Sequence, residues 1–315
     1  MLRDEITEPI RPIPQRRVIE KMNEYMSRRD YAGAERHLLY WLAEAQLGRD
    51  RDGQLMLRNE MVGHYRKTGQ KDKAMESARE ALALLAEMGL EDAVIAGTTY
   101  INIATACNAF GDFERSRELF EKARAVYEGS EHVEPQLLGG LYNNMALTYA
   151  ALGRYEEALA LYEKAVGVMA DVPDGELEQA ITFLNMANAV EAQLGMEEGE
   201  SRIYGLVDRA EELLESKGRE MLGPEGSSDG GSREASGGGS SDGAAGGAGG
   251  RGAQPNGSAA KEAALPLRER SREERARIGY YAFVCEKCAP TFEYYGYFLT
   301  AEALKETAEK IYREE

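Results

Sequence analysis

Three asparagines recur along the chain at near-equal intervals, Asn102, Asn144 and Asn185, 42 and 41 residues apart. A primary amide carries two donors and an acceptor. A row of them can therefore hold the backbone of an extended peptide while leaving its side chains free. The same row can instead tie neighbouring helices together and fix their register, and the residues leave both readings open. Thr105 and Asn188 stand three residues after two of these asparagines and, on a helix, share their face. Glu60 takes the equivalent place one interval earlier and Glu20 the place before that, which favours a basic ligand residue at that end. Lys67, seven residues after Glu60 in the second copy, completes the set of candidate peptide-binding residues.

Other candidate chemistry is thin. Cys285-Glu-Lys-Cys288 has the spacing of a thiol redox pair or of half a zinc site. A second pair of ligands is missing, since Cys107, His37, His64 and His132 are scattered over distant parts of the chain. A redox cysteine wants a helix N-terminus to lower its pKa, whereas Cys285 is predicted deep inside a helix. Packing is the expected role of both thiols, and the three histidines are expected at the surface or in loops. No catalytic triad, HExxH, phosphate-cradling glycine loop or Ca²⁺ loop occurs. We therefore expect no enzyme activity, no cofactor and no metal.

The asparagines belong to repeating elements. The stretch LYNNMALTYAALGRYEEALALYEKA, residues 141–165, reads as two amphipathic helices joined at Gly153. Gly69, Gly111 and Gly153 are 42 residues apart. Five residues after them come Ala74, Ser116 and Ala158, and seven further on Ala81, Ala123 and Ala165. Before them stand Tyr65, Cys107 and Tyr149, then Val62, Ala104 and Ala146. A weaker first copy carries Tyr25, Tyr31, Ala34 and Trp41 without a turn glycine. A fourth full copy fits when shifted by one residue, with Ala187, Val190, Met196, Gly199 and Ile203 in the corresponding places and one extra residue at the turn. One hairpin buries too little apolar surface to offset its ordering entropy. Stacked copies bury a continuous core, so self-similarity at a fixed period predicts a solenoid.

These residues resemble the tetratricopeptide repeat over about residues 16–216. Its usual period is about 34 residues; the longer period here is similar to that of kinesin light chain and of bacterial peptide-sensing regulators. The resemblance implies an all-α, right-handed superhelical solenoid of about five antiparallel helix pairs. It also implies that first helices line a concave groove, and that the asparagine position faces that groove. The carboxylate-clamp variety of the family needs several cations there. Here the matching places offer Lys67 and Arg16 and then Ala109, Ala151 and Ala192, so that use is disfavoured.

The formal charge of −17 over 315 residues argues against nucleic acid or an anionic membrane as partner and favours a neutral or basic protein. No apolar run reaches the ~20 residues of a membrane span, and the N-terminus lacks a signal-peptide core; the cytoplasm is the expected location. Residues 1–15, with Pro9, Pro12 and Pro14, are predicted to be an extended arm and 16–217 the solenoid. Residues 218–260 are Gly/Ser-rich and read as a flexible linker. Residues 261–315 should form a helical capping pair over roughly 267–289 and 299–313, with Pro290 ending or kinking the first helix. A polar loop is expected at 48–54. The expected function is non-catalytic: a scaffold holding an extended peptide or partner helix in the groove. The alternative is a peptide-sensing receptor whose superhelix changes shape on binding.

Overall fold

The structure is a computed structural model that describes residues 10–223 and 266–314. In it Gly69, Gly111, Gly153 and Gly195 all take left-handed backbone, with φ of 71°, 80°, 74° and 77°. A residue with a Cβ is penalised in that region, and glycine is not. Each of the four lies between two α-helices and turns the chain back on itself. The fourth turn is thus at Gly195, again 42 residues after Gly153. Gly195 stands five positions after Val190 instead of four and four before Gly199 instead of five, so the turn keeps its length and the expected extra residue is absent.

In order, the helices are α1 (Gln15–Ser27), α2 (Tyr31–Leu47), α3 (Arg51–Lys67), α4 (Lys71–Met88), α5 (Val94–Ala109), α6 (Phe113–Glu128), α7 (Pro135–Ala151), α8 (Tyr155–Met169), α9 (Gly175–Leu222, broken at Gly195), α10 (Arg272–Tyr294) and α11 (Phe298–Glu314). Among the described residues there is no strand. Aspartates begin several helices: the Asp30, Asp50 and Asp112 side chains accept from the amides of Gly33, Gly53 and Arg115 at 2.8, 2.9 and 3.3 Å. The cap at Asp50 starts α3 at Arg51, so the polar segment 48–54 is mostly helix and the loop shrinks to three residues. Ahead of α1, Arg11 N–H donates to the Gly48 carbonyl at 2.9 Å and Ile13 N–H to Asp50 Oδ2 at 2.8 Å. Residues 10–14 are non-helical and held against the α2–α3 turn; residues 1–9 of the expected arm lie outside the described residues.

The first copy lacks a turn glycine, and Arg29 takes its place at φ 56°. A left-handed non-glycine residue costs about 1–2 kcal/mol, and glycine returns about 0.5–1 kcal/mol of that through unfolded-state entropy. Arg29 is exposed, so Arg29→Gly is expected to stabilise the chain by about 0.5–1 kcal/mol. A denaturation midpoint that stays put or falls would contradict this.

Two compact units divide the chain between Lys164 and Ala165. In the first, α3 packs on α5 and α5 on α7, so first helices lie side by side in one layer; second helices α2, α4 and α6 each pack on the next first helix. The small residues sit where helices cross: Ala74, Ala81, Ala104, Ser116, Ala123, Ala146 and Ala158 have no exposed surface. Register is held by Asn59 Nδ2 donating to Thr99 Oγ1 at 2.9 Å and Asn108 Nδ2 to Thr148 Oγ1 at 2.8 Å. Tyrosine hydroxyls add bonds to carboxylates, Tyr65 to Glu35 at 3.1 Å and Tyr142 to Glu128 at 2.9 Å. In α2 Leu38, Leu42 and Ala45 are buried, while Leu39, Tyr40 and Leu47 are exposed.

In the second unit α10 packs on α9 and on α11. Its tyrosines reach both halves of α9. Tyr294 OH and Tyr295 OH donate to Glu191 at 2.6 and 2.9 Å, and Tyr281 OH donates to the Leu214 carbonyl at 3.2 Å. Two expectations are corrected here. The solenoid is expected to end at residue 217, but the helix runs on to Leu222; Gly218 is buried and makes room for Tyr281, and a Cβ there would come within 2.4 Å of the Tyr281 hydroxyl. Of the two outcomes expected at Pro290, an end or a kink, the end is excluded, since the helix continues to Tyr294. Pro290 and Glu286 both face solvent, where the carbonyl freed by the missing N–H is hydrated at little cost. The expected linker from 224 onward lies outside the described residues.

A charge cluster joins these helices. Arg277 forks onto Asp174 at 2.5 and 2.7 Å, and buried Lys217 contacts Asp174 and Glu220, each at 2.9 Å. The Arg277 and Lys217 contacts hold the Asp174 carboxyl down at about 2 despite burial.

Candidate functional site

Glu60, Asn102 and Asn144 lie on α3, α5 and α7, each nine residues before its left-handed glycine. They therefore occupy one row across the layer of first helices in the first unit. All three are half-buried. Among the described residues, neither the Asn102 nor the Asn144 amide has a hydrogen-bond partner. The register role is carried instead by Asn59 and Asn108, on other positions of the same helices. The Glu60 carboxylate likewise has no ion pair among the described residues, and burial raises its pKa.

The remaining expected residues are placed differently. Thr105 Oγ1 donates back to the Ile101 carbonyl at 2.8 Å, a bond within its own helix. Lys67 is exposed, with its ammonium 6.0 Å from the centre of the Tyr31 ring. Asn185 and Asn188 belong to the second unit, on the first half of α9. Asn185 is half-buried, and Asn188 Oδ1 accepts from Tyr295 OH at 2.9 Å. Asn188 is thus engaged by the chain's own α10. The C-terminal helix pair was legible in the sequence, but its contact with this position was not.

Apolar residues flank the row. Ile95 and Leu137 are 43% and 39% exposed and stand seven residues before Asn102 and Asn144, hence on the same helix faces. Leu147, 39% exposed, follows Asn144 by one turn. These three were not singled out from sequence, although Ile95 and Leu137 share the 42-residue spacing of the asparagines. Exposed branched side chains at a repeated position were the available signal. The face thus offers free amides with apolar side chains beside them and one carboxylate at one end.

Elsewhere the chemistry is muted. Cys285 and Cys288 are buried on α10, and burial pushes both thiols up to about 12. They are protonated at neutral pH and poor nucleophiles. No group of His, Cys, Asp and Glu among the described residues could hold a metal ion. No described helix is long and apolar enough to cross a membrane. His64 departs from the surface placement expected of it: it is 2% exposed, and neither ring nitrogen has a partner among the described residues.

Comparison with known proteins matches this geometry. The tetratricopeptide repeat family model fits residues 137–198. The crystal structure of BtubC (BKLC) from P. vanneervenii superposes with a TM-score of 0.55 at 23% identity, over 64% of this chain and 79% of that one. A putative kinesin light chain from Podosopora anserina with nearly identical TPR-like repeats superposes with a TM-score of 0.53 at 21% identity, over 65% of this chain and 96% of that one. A variant of that Podosopora anserina protein gives a TM-score of 0.54 at the same identity and coverage. No curated protein matches the chain. Residues 137–198 thus match the tetratricopeptide repeat, within a helical fold like that of kinesin-light-chain-like repeat proteins.

Proposed function

We propose that the first-helix layer of α3, α5 and α7 binds an extended peptide of a partner protein, and that the chain acts as a non-catalytic scaffold. The observation that carries this reading is the pair of equivalent amides, Asn102 and Asn144, half-buried and without a partner among the described residues. Neither amide is among the buried polar atoms left without a partner, so both remain open to water, and each hydrogen bond exchanged from water to a ligand is worth about 1 kcal/mol net. A peptide backbone supplies an N–H and a C=O at each residue, which matches the donor and acceptor of an amide. Tetratricopeptide repeats are in general protein-interaction scaffolds, and nothing in the buried thiols favours catalysis. The acidity of the chain disfavours nucleic acid and anionic membranes as partners, and the proposed location is the cytoplasm.

The test is a peptide display library selected on the full chain, followed by affinity measurement on Asn102→Ala with Asn144→Ala. Loss of up to four hydrogen bonds of about 1 kcal/mol each should weaken binding roughly a hundred- to a thousandfold. Melting should barely change, because these amides hold no hydrogen bond among the described residues. A large loss of stability with unchanged affinity would return the asparagines to a structural role.

A further inference from the structure

Resting on that peptide-face reading, we propose that the partner presents a lysine or arginine side chain to Glu60, followed along the peptide by backbone over Asn102 and Asn144 and an apolar side chain against Leu137 and Leu147. The three positions are equivalent in successive repeats, yet the first bears a carboxylate where the other two bear amides. Among the described residues no cation pairs with that carboxylate. Nearby Arg58 pairs with Glu80, and Lys67 lies about two helical turns further along α3 with its ammonium over the Tyr31 ring. A half-buried carboxylate that has lost part of its hydration gains most from a charge-assisted hydrogen bond brought by a ligand. Raising of the Glu60 pKa by burial alone is consistent with a place that no cation of the chain fills.

Spacing sets the pattern of the ligand. Packed helices lie about 8–10 Å apart, and an extended chain advances about 3.3–3.6 Å per residue. Two helix steps, from Glu60 to Asn144, therefore span about five or six peptide residues. The apolar contacts belong to the Asn102 and Asn144 end. Ile95 and Leu137 have as their counterpart on α3 the buried Gly53, which offers nothing to an apolar group. The recognised segment is thus cationic at one end and apolar about five or six residues away.

Twelve-residue peptides selected from a random display library on the full chain test this. Enriched sequences should pair Lys or Arg with Leu, Ile, Met or Phe at that distance. Resynthesis of the strongest binder with its cation changed to glutamine should weaken it about tenfold on the unaltered chain. On Glu60→Gln the two peptides should bind alike, with melting no lower than in the unaltered chain. Glu60→Lys should reverse the preference and select acidic residues at the same place; this variant decides the matter should Glu60→Gln fold poorly. Enriched peptides without the cation, or discrimination that survives in Glu60→Gln, would overturn the assignment while leaving the peptide face intact. Selected peptides that bind the Asn102→Ala, Asn144→Ala chain undiminished, or no selection at all, would overturn the peptide face and this assignment with it.

Discussion

With Phe292 truncated to alanine, the C-terminal helix pair is expected to come away from α9, at a cost of about 3–5 kcal/mol. Phe292 has no exposed surface and meets the Tyr297 ring edge-on at 5.9 Å. Truncation removes the transfer free energy of the ring and leaves a cavity that helices pinned at both ends cannot close. The effect should spread, because the hydroxyl bonds of Tyr281, Tyr294 and Tyr295 to α9 depend on the seat of α10. Each is worth only about 1 kcal/mol while intact. Hydrogen exchange over 272–314 is the direct measurement, since stability in a repeat array is a sum of local terms and ends can open alone. Phe298→Ala is the control: that ring is 66% exposed, and the change should stay within about 0.5 kcal/mol. Equal exchange in both variants would mean that Phe292 does not hold the pair in place.

Much of the fold was legible because the repeat writes the same requirement several times. Left-handed turns ask for glycine, and helix crossings ask for small side chains. Ala104, Ala146 and Ala187 were recognisable at their spacing and have no exposed surface. What stayed hidden were single positions where tertiary contact overrides local preference. Arg29 and Arg49 accept φ of 56° because neighbouring helices fix the turns, so no glycine marked them. Gly218 looks like the start of a linker and is in fact a gap that Tyr281 fills. Pro290 looks like a stop, yet its freed carbonyl faces water. At the candidate face the amide spacing was readable, but not which asparagines were spent on register. Asn59 and Asn108 lie off the 42-residue ladder and bond to threonines of the next repeat, about forty residues away. The free state of Asn102 and Asn144 emerges only once those partners are placed.

Replacing His64 by leucine is expected to stabilise the chain, and more so at pH 5.5 than at pH 7.5. The imidazole is buried in α3 beside the Tyr65 ring, 5.3 Å between centres, and both nitrogens lack a partner among the described residues. Leaving buried polar atoms unmet costs on the order of 1–3 kcal/mol, which an apolar side chain of similar size removes. Burial lowers the His64 pKa; Glu35 opposes this and Lys73 adds to it. The sign follows from which state holds the proton. Below about 6.5 the unfolded chain takes up a proton that the folded chain refuses until its own lower pKa is reached, so stability falls as pH falls through that window. For one group the slope approaches about 1.4 kcal/mol per pH unit. His64→Leu abolishes this slope and leaves the carboxylate contributions in place apart from that of Glu35, which interacts with His64, so the difference between the two chains reports the histidine together with its interaction with Glu35. Denaturant unfolding at the two pH values should therefore show a gap that widens by roughly 1 kcal/mol on acidification. A gap independent of pH would mean that the imidazole is already partnered or protonated in the folded chain. A loss of stability in the leucine variant at both pH values would mean that His64 contributes packing that leucine does not reproduce.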